Sequence, residues 1–321
     1  MDEIDPIREA YTSADKVRKK FYMRHADDIR HWAMERDDQT FLWLVTVGDL
    51  AGPALLSHRT VRKHLAYAWI DALLAEHERH PGRQRLWITF AWDTPLTWER
   101  VPNLDMKSVR NIADQHLRRS GIDGIGTLEI DTWKEIAGEP GKRMVPHVHF
   151  LGWSKNGQTI DVAALEKRMC SRRALSNSLG AHSVVIKEVG PTPKDMATIG
   201  CYMAKLPAYA KNPKPDPVCG GYKLGQVRHA PGSVTRLIEV LSFLEIGDVL
   251  FAIGEGKVIA KEIRDSVRAK YGRNGRGKWA PERDMIARHW RRIRATNGNK
   301  KFQDCNVITR VDQRRPSELD D

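Results

Sequence analysis

Long apolar segments are absent from this 321-residue sequence, and none approaches the roughly 20 residues that a helix needs to cross a bilayer. The N-terminal stretch Met-Asp-Glu-Ile-Asp-Pro is acidic and lacks the apolar core of a secretory signal. Only four cysteines are present, and no two of them form a Cys-x-x-Cys pair, so we expect reduced thiols rather than disulfides. These absences predict a soluble, cytoplasmic protein without a membrane partner.

A phosphate-binding Gly-x-x-x-x-Gly-Lys loop is also absent, which argues against an attached helicase. Positive charge, in contrast, is abundant. The 53 lysine and arginine residues outnumber 41 acidic residues, which gives a net charge of +12 and an isoelectric point near 9.6. Hydrophobic residues make up 41% of the chain, enough for a buried core. A basic chain of this kind favours a polyanionic partner, nucleic acid first.

The positive charge is concentrated between residues 257 and 301, where 15 basic residues accompany only four acidic ones. Trp279 and Trp290 lie in this window, and cations combined with aromatic faces are typical of proteins that bind single-stranded nucleic acid. The alternative is a solubilising tail whose tryptophans pack into a helical core. The basic residues that we predict to contact DNA are Arg273, Arg276, Lys278, Arg288, Arg291, Arg292 and Arg294.

Hydrophobic periodicity and turn residues predict an α+β fold. The predicted strands lie at 85–92, 126–133, 144–153 and 183–189, and the predicted helices that alternate with them lie at 105–119, 161–175 and 193–205. Strand, helix, strand, strand, helix, strand and helix follow one another in this order. The order predicts a central antiparallel sheet with helices packed on its faces.

The flanking regions differ from this centre, residues 81–212, in pattern. Residues 1–80 are predicted as a helical N-terminal extension, in which 41–47 is a candidate strand of the main sheet. The proline-rich stretch 212–217 is predicted to be a linker or an exposed loop. Residues 213–321 form a basic C-terminal region, for which helices are predicted at 233–246, 258–271 and 281–295.

The sequence Met-Val-Pro-His-Val-His-Phe-Leu-Gly-Trp, residues 144–153, places two histidines two positions apart on a predicted strand. Residues two apart on a strand point to the same face, so His147 and His149 lie side by side. Two neutral imidazoles in this arrangement make half of a metal site. A pair of half-buried polar residues is the alternative interpretation.

The hairpin that joins this strand to the one before it supplies a third ligand. If its turn is centred near Glu139, then Glu129 lies opposite His149 and Asp131 lies opposite His147, all on one face of the sheet. Glu129 is the preferred ligand and Asp131 the reserve, in an open, solvent-facing site for Mg²⁺ or Mn²⁺. The alternative is a pair of solvated acids, and a register error of one residue exchanges the faces.

The predicted helix 193–205 carries a candidate nucleophile. Tyr202 and Lys205 are three residues apart and share one helical face. A tyrosine can act as a nucleophile when a nearby cation lowers the cost of its phenolate, and a lysine can also hold a phosphate. An aromatic anchor next to a solvated lysine is the commoner meaning of such a pair, and Tyr209 is a rival nucleophile.

The combination of these features resembles HUH endonucleases. It consists of His147-Val148-His149 on a strand, Glu129 on the preceding strand and Tyr202-Met203-Ala204-Lys205 on a later helix. Because the tyrosine follows the histidines, the order resembles the rolling-circle replication initiators and related transposases rather than the relaxases. The resemblance covers about residues 85–212. It implies a ferredoxin-like HUH sheet and one divalent cation.

Two further stretches bear on this resemblance. The family's first motif is an apolar strand with threonines, and Leu86–Phe90 resembles this motif. The stretch 41–47 is a less well placed candidate for it. Some relatives carry a second tyrosine four residues after the first, where this chain has Leu206 followed by Pro207. The departure favours a single-tyrosine enzyme that uses Tyr202, with Tyr209 in reserve.

The resemblance implies an activity as well as a fold. Tyr202 would nick single-stranded DNA, stay attached through a 5′-phosphotyrosine and release a 3′-OH that primes replication. Origin DNA and host replication proteins such as a helicase are the implied partners. Three alternatives remain open at this point: a transposase of the same chemistry, a DNA-binding protein without catalysis, and a metallohydrolase that uses a metal-bound water.

Overall fold

The computed structural model describes residues 11–12, 15–25, 56–57, 59–92, 97–98, 105–136, 139–172, 175, 183–207, 209–216, 221–230, 233–241 and 244–271. Three predictions lie outside the described residues. They are the candidate strand at 41–47, the helix at 281–295 and the seven basic residues from Arg273 to Arg294 that we expect to contact DNA.

The described residues contain eight helices and eight strands. The helices are α1 (15–25), α2 (Arg59–Arg79), α3 (Met106–Arg119), α4 (Val162–Cys170), α5 (Pro193–Met203), α6 (Ser233–Leu241), α7 (Ile246–Val249) and α8 (Gly256–Tyr271). The strands are β1 (Leu86–Phe90), β2 (Thr97–Trp98), β3 (Ile122–Ile136), β4 (Glu139–Ser154), β5 (Val184–Glu188), β6 (Ala210–Asp216), β7 (Gly221–Val227) and β8 (Leu250–Ile253). None of the described helices is both long and apolar enough to cross a membrane.

The strands form one sheet in the order β5–β1–β4–β3–β6–β7, and the two remaining strands join it at the sides: β2 pairs with β4, and β8 pairs with β3. All pairings are antiparallel except the contact between β3 and β6, where Trp133 pairs with Lys211 in a parallel sense. The helices flank this sheet. The predicted α+β class, a mostly antiparallel sheet with helices on its faces, is therefore confirmed.

Helix starts follow the capping chemistry of the sequence. Asp105 precedes α3 and its side chain accepts a hydrogen bond from the backbone N–H of Ser108 at 2.9 Å. Thr192 and Asp195 cap α5 reciprocally, with Pro193 in the first turn, where its missing N–H costs nothing. These caps fix where α5 begins and so place its last turn, which carries Tyr202.

Two glycines allow α8 and β8 to approach the central hairpin closely. A Cβ atom at Gly256 would overlap the carbonyl oxygen of Gly124 in β3, so only glycine lets the start of α8 approach the strand this closely. Gly126 lies under the rings of Phe150 and Phe251, and a Cβ there would come within 2.6 Å of the Phe150 side chain. The C-terminal helix is thereby joined to the central hairpin.

One buried core extends across most of the described chain. It includes Phe21 of α1, Leu65 of α2, Phe150 of β4, Leu237 of α6 and Val267 of α8. Helix α2 packs on both α5 and α8. This core includes residues on both sides of positions 80 and 212. The predicted domain boundaries at these positions therefore describe changes in sequence composition.

The predicted linker at 212–217 is wrong for its described part. Residues up to Asp216 belong to β6, which pairs with β7 in a hairpin. Prolines 213 and 215 misled the prediction because proline usually ends strands. The two prolines are two residues apart, so they remove amides from one side of the strand only and leave the other side able to pair.

Candidate metal and nucleophile site

The hairpin of β3 and β4 brings the predicted ligands onto one face, but in a different register from the prediction. Glu129 pairs with His147, and His149 pairs with Thr127, a shift of two residues. Glu139 and Pro140 pair with Ile136 and Glu135 inside the hairpin ladder, so the turn is not centred at Glu139. Because the shift is an even number of residues, all the predicted ligands keep their face.

The ligand atoms of three residues converge. The Nε2 atoms of His147 and His149 are 3.0 Å apart, and each lies 3.5 Å from Oε2 of Glu129. Ligands at about 2.1 Å from one ion and at right angles to each other would be separated by about 3.0 Å, so the spacing suits a divalent cation. These three residues form a group that can hold a metal ion.

The Glu129 carboxylate supports this fit. Both of its oxygens are buried; Oε2 faces the two histidines and Lys205, whereas Oε1 accepts no hydrogen bond from the described residues. A buried acceptor without a hydrogen bond is costly, and a bound cation would remove that cost. Asp131 lies further out, with Oδ2 at 3.8 Å from Nε2 of His147, which agrees with its place as the reserve ligand.

Neighbouring groups orient both imidazoles. Nδ1 of His147 lies 3.2 Å from the carbonyl oxygen of Val145, which only accepts, so Nδ1 carries the proton and Nε2 offers its lone pair. Nδ1 of His149 lies 3.0 Å from the hydroxyl of Thr89, and the indole of Trp87 stacks on the His149 ring at 5.0 Å. Such outer contacts fix the rings of metal-binding histidines.

The site is buried, which corrects the prediction of an open, solvent-facing site. The exposed fractions are 3% for His149, 5% for His147 and 7% for Glu129. The end of α5 covers this face, which a pattern within single strands does not reveal. Tyr202, at the edge of this cover, remains 40% exposed.

Lys205 reaches into the site from the segment after α5. Its Nζ lies 3.2 Å from Oε2 of Glu129 and 3.5 Å from the centre of the Tyr202 ring. Burial opposes ionisation of Glu129, but Lys205 and the two histidines outweigh it and hold the pKa of this carboxyl well below its usual value. Burial likewise opposes a charge on Lys205, but Glu129 and Asp131 raise its pKa. The two side chains therefore form a buried ion pair.

The surroundings shift the pKa values of the two histidines in opposite directions. Burial lowers the pKa of His149 to about 4, so its ring is neutral at ordinary pH. Burial also disfavours the charged form of His147, but the nearby Asp131 and Glu129 raise its pKa. Metal binding requires neutral imidazoles, a condition that His149 meets.

The structure also brings Tyr202 to this group. Its ring meets His149 edge-on at 5.0 Å and Trp87 edge-on at 5.1 Å. The last turn of α5 thus places a phenol next to a histidine of the group that can hold a metal ion. The sequence predicted that Tyr202 and Lys205 share a helical face, but α5 ends at Met203, and Lys205 belongs to the turn that follows.

Tyr209, the rival nucleophile, contacts a different part of the molecule. Lys20 of α1 donates a hydrogen bond to its hydroxyl, and the guanidinium of Arg24 lies 4.6 Å from its ring centre. The hydrogen bond from Lys20 and the charges of both cations lower the pKa of Tyr209. The contacts recorded for Tyr209 are with these cations of α1, whereas those of Tyr202 are with the ligand group.

Two residues at the site had no signal in the sequence. Arg62 of α2 is buried, donates from Nε to the carbonyl oxygen of Leu56 at 2.7 Å, and lines a small cavity together with Glu129 and Lys205. Burial lowers its pKa, and the charge of Glu129 counteracts part of that effect. Arg62 is 67 positions from Glu129 in the chain, so local patterns do not connect the two.

His229 joins the segment after α5 to β3. Its Nε2 lies 2.6 Å from the carbonyl oxygen of Pro207, so this nitrogen carries the proton and donates. Its Nδ1 therefore accepts from the hydroxyl of Thr132 at 2.9 Å. The bridge holds the segment that carries Lys205 against the strand that carries Glu129.

Comparison with models of protein families, with curated proteins and with solved structures finds no significant match for this chain. The function of the protein must therefore be inferred from its fold and from the chemistry of the site.

Proposed function

We propose that this protein is an HUH-type endonuclease of the rolling-circle replication initiator class, with a ferredoxin-like HUH sheet. It nicks single-stranded DNA and rejoins it through a tyrosine. The observation that carries the proposal is the position of Tyr202, whose ring lies 5.0 Å from that of His149 within the group of Glu129, His147 and His149. A group of metal-binding residues alone is compatible with many kinds of hydrolase. A tyrosine and a lysine next to such a group favour strand transfer through a covalent intermediate.

Each residue of the site has a separate role in the proposed reaction. Mg²⁺ or Mn²⁺ held by His147, His149 and Glu129 would supply polarisation of the scissile phosphate. The hydroxyl of Tyr202 attacks the phosphorus and forms a phosphotyrosine, while the bond from phosphorus to the 3′ oxygen breaks. The phenolic proton ends on that oxygen, which leaves as a 3′-OH. Lys205 stabilises the phenolate or the phosphate as negative charge develops.

The covalent intermediate explains why a tyrosine would serve better than water. The phosphotyrosine conserves the energy of the phosphodiester, so a later 3′-OH can attack it and rejoin the strand. In a replication initiator the released 3′-OH primes synthesis at an origin, with a host helicase among the partners and the cytoplasm as the compartment.

A gel assay tests this proposal. The protein is mixed with fluorescent single-stranded oligonucleotides of candidate origins and Mn²⁺, and the products are separated under denaturing conditions. Wild type and the matched control Tyr209→Phe should give a labelled band of protein size, whereas Tyr202→Phe and a sample with EDTA should not. Metal-dependent cleavage without any adduct would favour a metallohydrolase, and an adduct on Tyr202→Phe would contradict the assignment.

The basic segment after α8 is the proposed site of nonspecific DNA contact. Because α8 belongs to the core, a truncation after Tyr271 removes the basic residues from Arg273 onward and spares the described fold. The truncated protein should bind DNA more weakly and with a flatter dependence on salt, since fewer phosphate contacts release fewer counterions. Fluorescence anisotropy at several salt concentrations measures both, and an unchanged affinity and slope would reject this role.

A further inference from the structure

The ammonium group of Lys205 contacts the same carboxylate oxygen of Glu129 that a metal ion would bind. Its ammonium lies 3.2 Å from Oε2 of Glu129, and the same oxygen is the one that lies 3.5 Å from Nε2 of each histidine. A divalent cation bound among these three atoms would therefore lie next to the ammonium. Like charges at such a distance repel strongly in a buried site, where water screens them poorly.

The charges of the metal-free site are already matched. Glu129 and Asp131 are its two buried carboxylates, and both act on Lys205. Arg62, which lines the cavity shared by Glu129 and Lys205, is a second buried cation. Two positive charges thus accompany two negative ones, and a divalent ion would add charge that no described group offsets.

We propose that Lys205 is the resident cation of the metal-free site, and that a divalent cation binds by displacing its ammonium from Glu129. This inference rests on the metal site of the proposed function and adds a control on its loading. In this role Lys205 weakens metal binding, whereas a lysine that only assists catalysis would leave it unchanged.

The displacement links metal binding to the nucleophile. Lys205 follows directly on the last turn of α5, and its Nζ already lies 3.5 Å from the centre of the Tyr202 ring. An ammonium released from Glu129 therefore stays beside Tyr202, where it can pair with the phenolate or with the phosphate of a bound strand. The lysine is free for this task only once the metal has taken its place.

Calorimetric titration of the full-length protein with Mn²⁺ tests the exchange. Lys205→Met keeps most of the side-chain stem and removes the charge, so its affinity for Mn²⁺ should rise about tenfold or more, since a unit charge a few Å away is lost. Lys205→Arg keeps a cation and should bind no tighter than wild type. Lys167→Met, an exposed lysine on α4, is the matched control and should not differ from wild type.

Thermal unfolding gives a second readout. Lys205→Met should melt below wild type in EDTA, because Glu129 then keeps a buried charge without its cation. Added Mn²⁺ should raise its melting temperature more than that of wild type. If Lys205→Met does not fold, Lys205→Gln takes its place in both measurements. An affinity equal to or below wild type in the neutral variant would overturn the exchange.

His149→Ala separates this inference from the function on which it rests. The substitution should remove Mn²⁺ binding from wild type and from Lys205→Met alike. If wild type binds Mn²⁺ through His149 but Lys205→Met binds no tighter, only the exchange is wrong. If no variant binds Mn²⁺ through His149, the metal site fails and the proposed function fails with it.

Discussion

Tyr202 and Tyr209 are seven residues apart, and each lies beside a positively charged side chain, yet their surroundings differ in kind. The ring of Tyr202 meets His149 and lies under Lys205, next to the buried carboxylate of Glu129. Tyr209 lies between two cations of α1, and its pKa is lowered.

An acidic phenol alone would favour Tyr209 as the nucleophile. A phosphodiester also needs stabilisation of the charge that develops on its oxygens, and the described ligand group that can hold a metal lies at Tyr202. We therefore propose that the position of the group that can hold a metal, rather than the ease of ionisation of the phenol, selects Tyr202 as the nucleophile. Each of the following predictions tests one side of this contrast.

The largest effect is expected from exchanging the two tyrosines for phenylalanine. Tyr202→Phe should lower the rate of strand cleavage by more than about 10³-fold, because loss of a nucleophile removes the covalent route. Tyr209→Phe should retain most of the wild-type rate. Single-turnover cleavage of an origin oligonucleotide measures both rates, and the reverse order would assign the reaction to Tyr209.

The next effect concerns the buried histidines. His149→Ala should abolish Mn²⁺ binding, because one of three converging ligands is lost. His229→Ala, a buried histidine outside the ligand group, should lower the free energy of unfolding by about 1–3 kcal/mol, since it leaves polar groups unpaired, and should retain Mn²⁺ binding. Titration calorimetry and chemical denaturation distinguish the two; equal Mn²⁺ affinities would refute the ligand assignment.

A smaller effect is expected at Thr89, which holds the ring of His149. Thr89→Val keeps the shape and removes the hydroxyl, so Mn²⁺ affinity should fall by about 10- to 100-fold, as for other partners of metal-binding histidines. Thr89→Ser keeps a hydroxyl and should restore most of the affinity. If both variants bind as wild type does, Thr89 has no part in orienting the ligand.

The smallest effect is a change in titration at Tyr209. The hydrogen bond from Lys20 and the nearby charges favour the phenolate, so Tyr209 should ionise below the usual pH for a tyrosine. Lys20→Met should shift this ionisation to higher pH. The difference in tyrosinate absorbance between each protein and its Tyr209→Phe version isolates this one group, and cleavage of DNA should not change.

The sequence predicted much of the sheet because its signals were local. Alternation within β3 and β4 decided which residues share a face, and this parity survived an error of two residues in the register. The register was wrong because Glu139 and Pro140, which were predicted to form the turn, already pair within the hairpin. The strand β6 was missed because the prolines that suggest a loop also fit one side of a paired strand.

The candidate site was also predictable only where its residues lie close together in the sequence. Glu129, His147 and His149 come from one hairpin, so the spacing along two strands was enough to group them. Burial of the group, the approach of Tyr202 and the presence of Arg62 depend on how α2 packs against α5 and on how the end of α5 contacts β1 and β4. Such packing results from contacts between distant segments, which no short pattern encodes.

Mapping the covalent adduct tests the central claim most directly. The protein is allowed to cleave an origin oligonucleotide in Mn²⁺, the DNA is digested with nuclease, and the peptides are examined by mass spectrometry. A phosphonucleotide on the peptide that contains Tyr202, and its absence when His149 is replaced by alanine, is the result that we predict. A phosphonucleotide on Tyr209, or cleavage with no modified peptide, would contradict it.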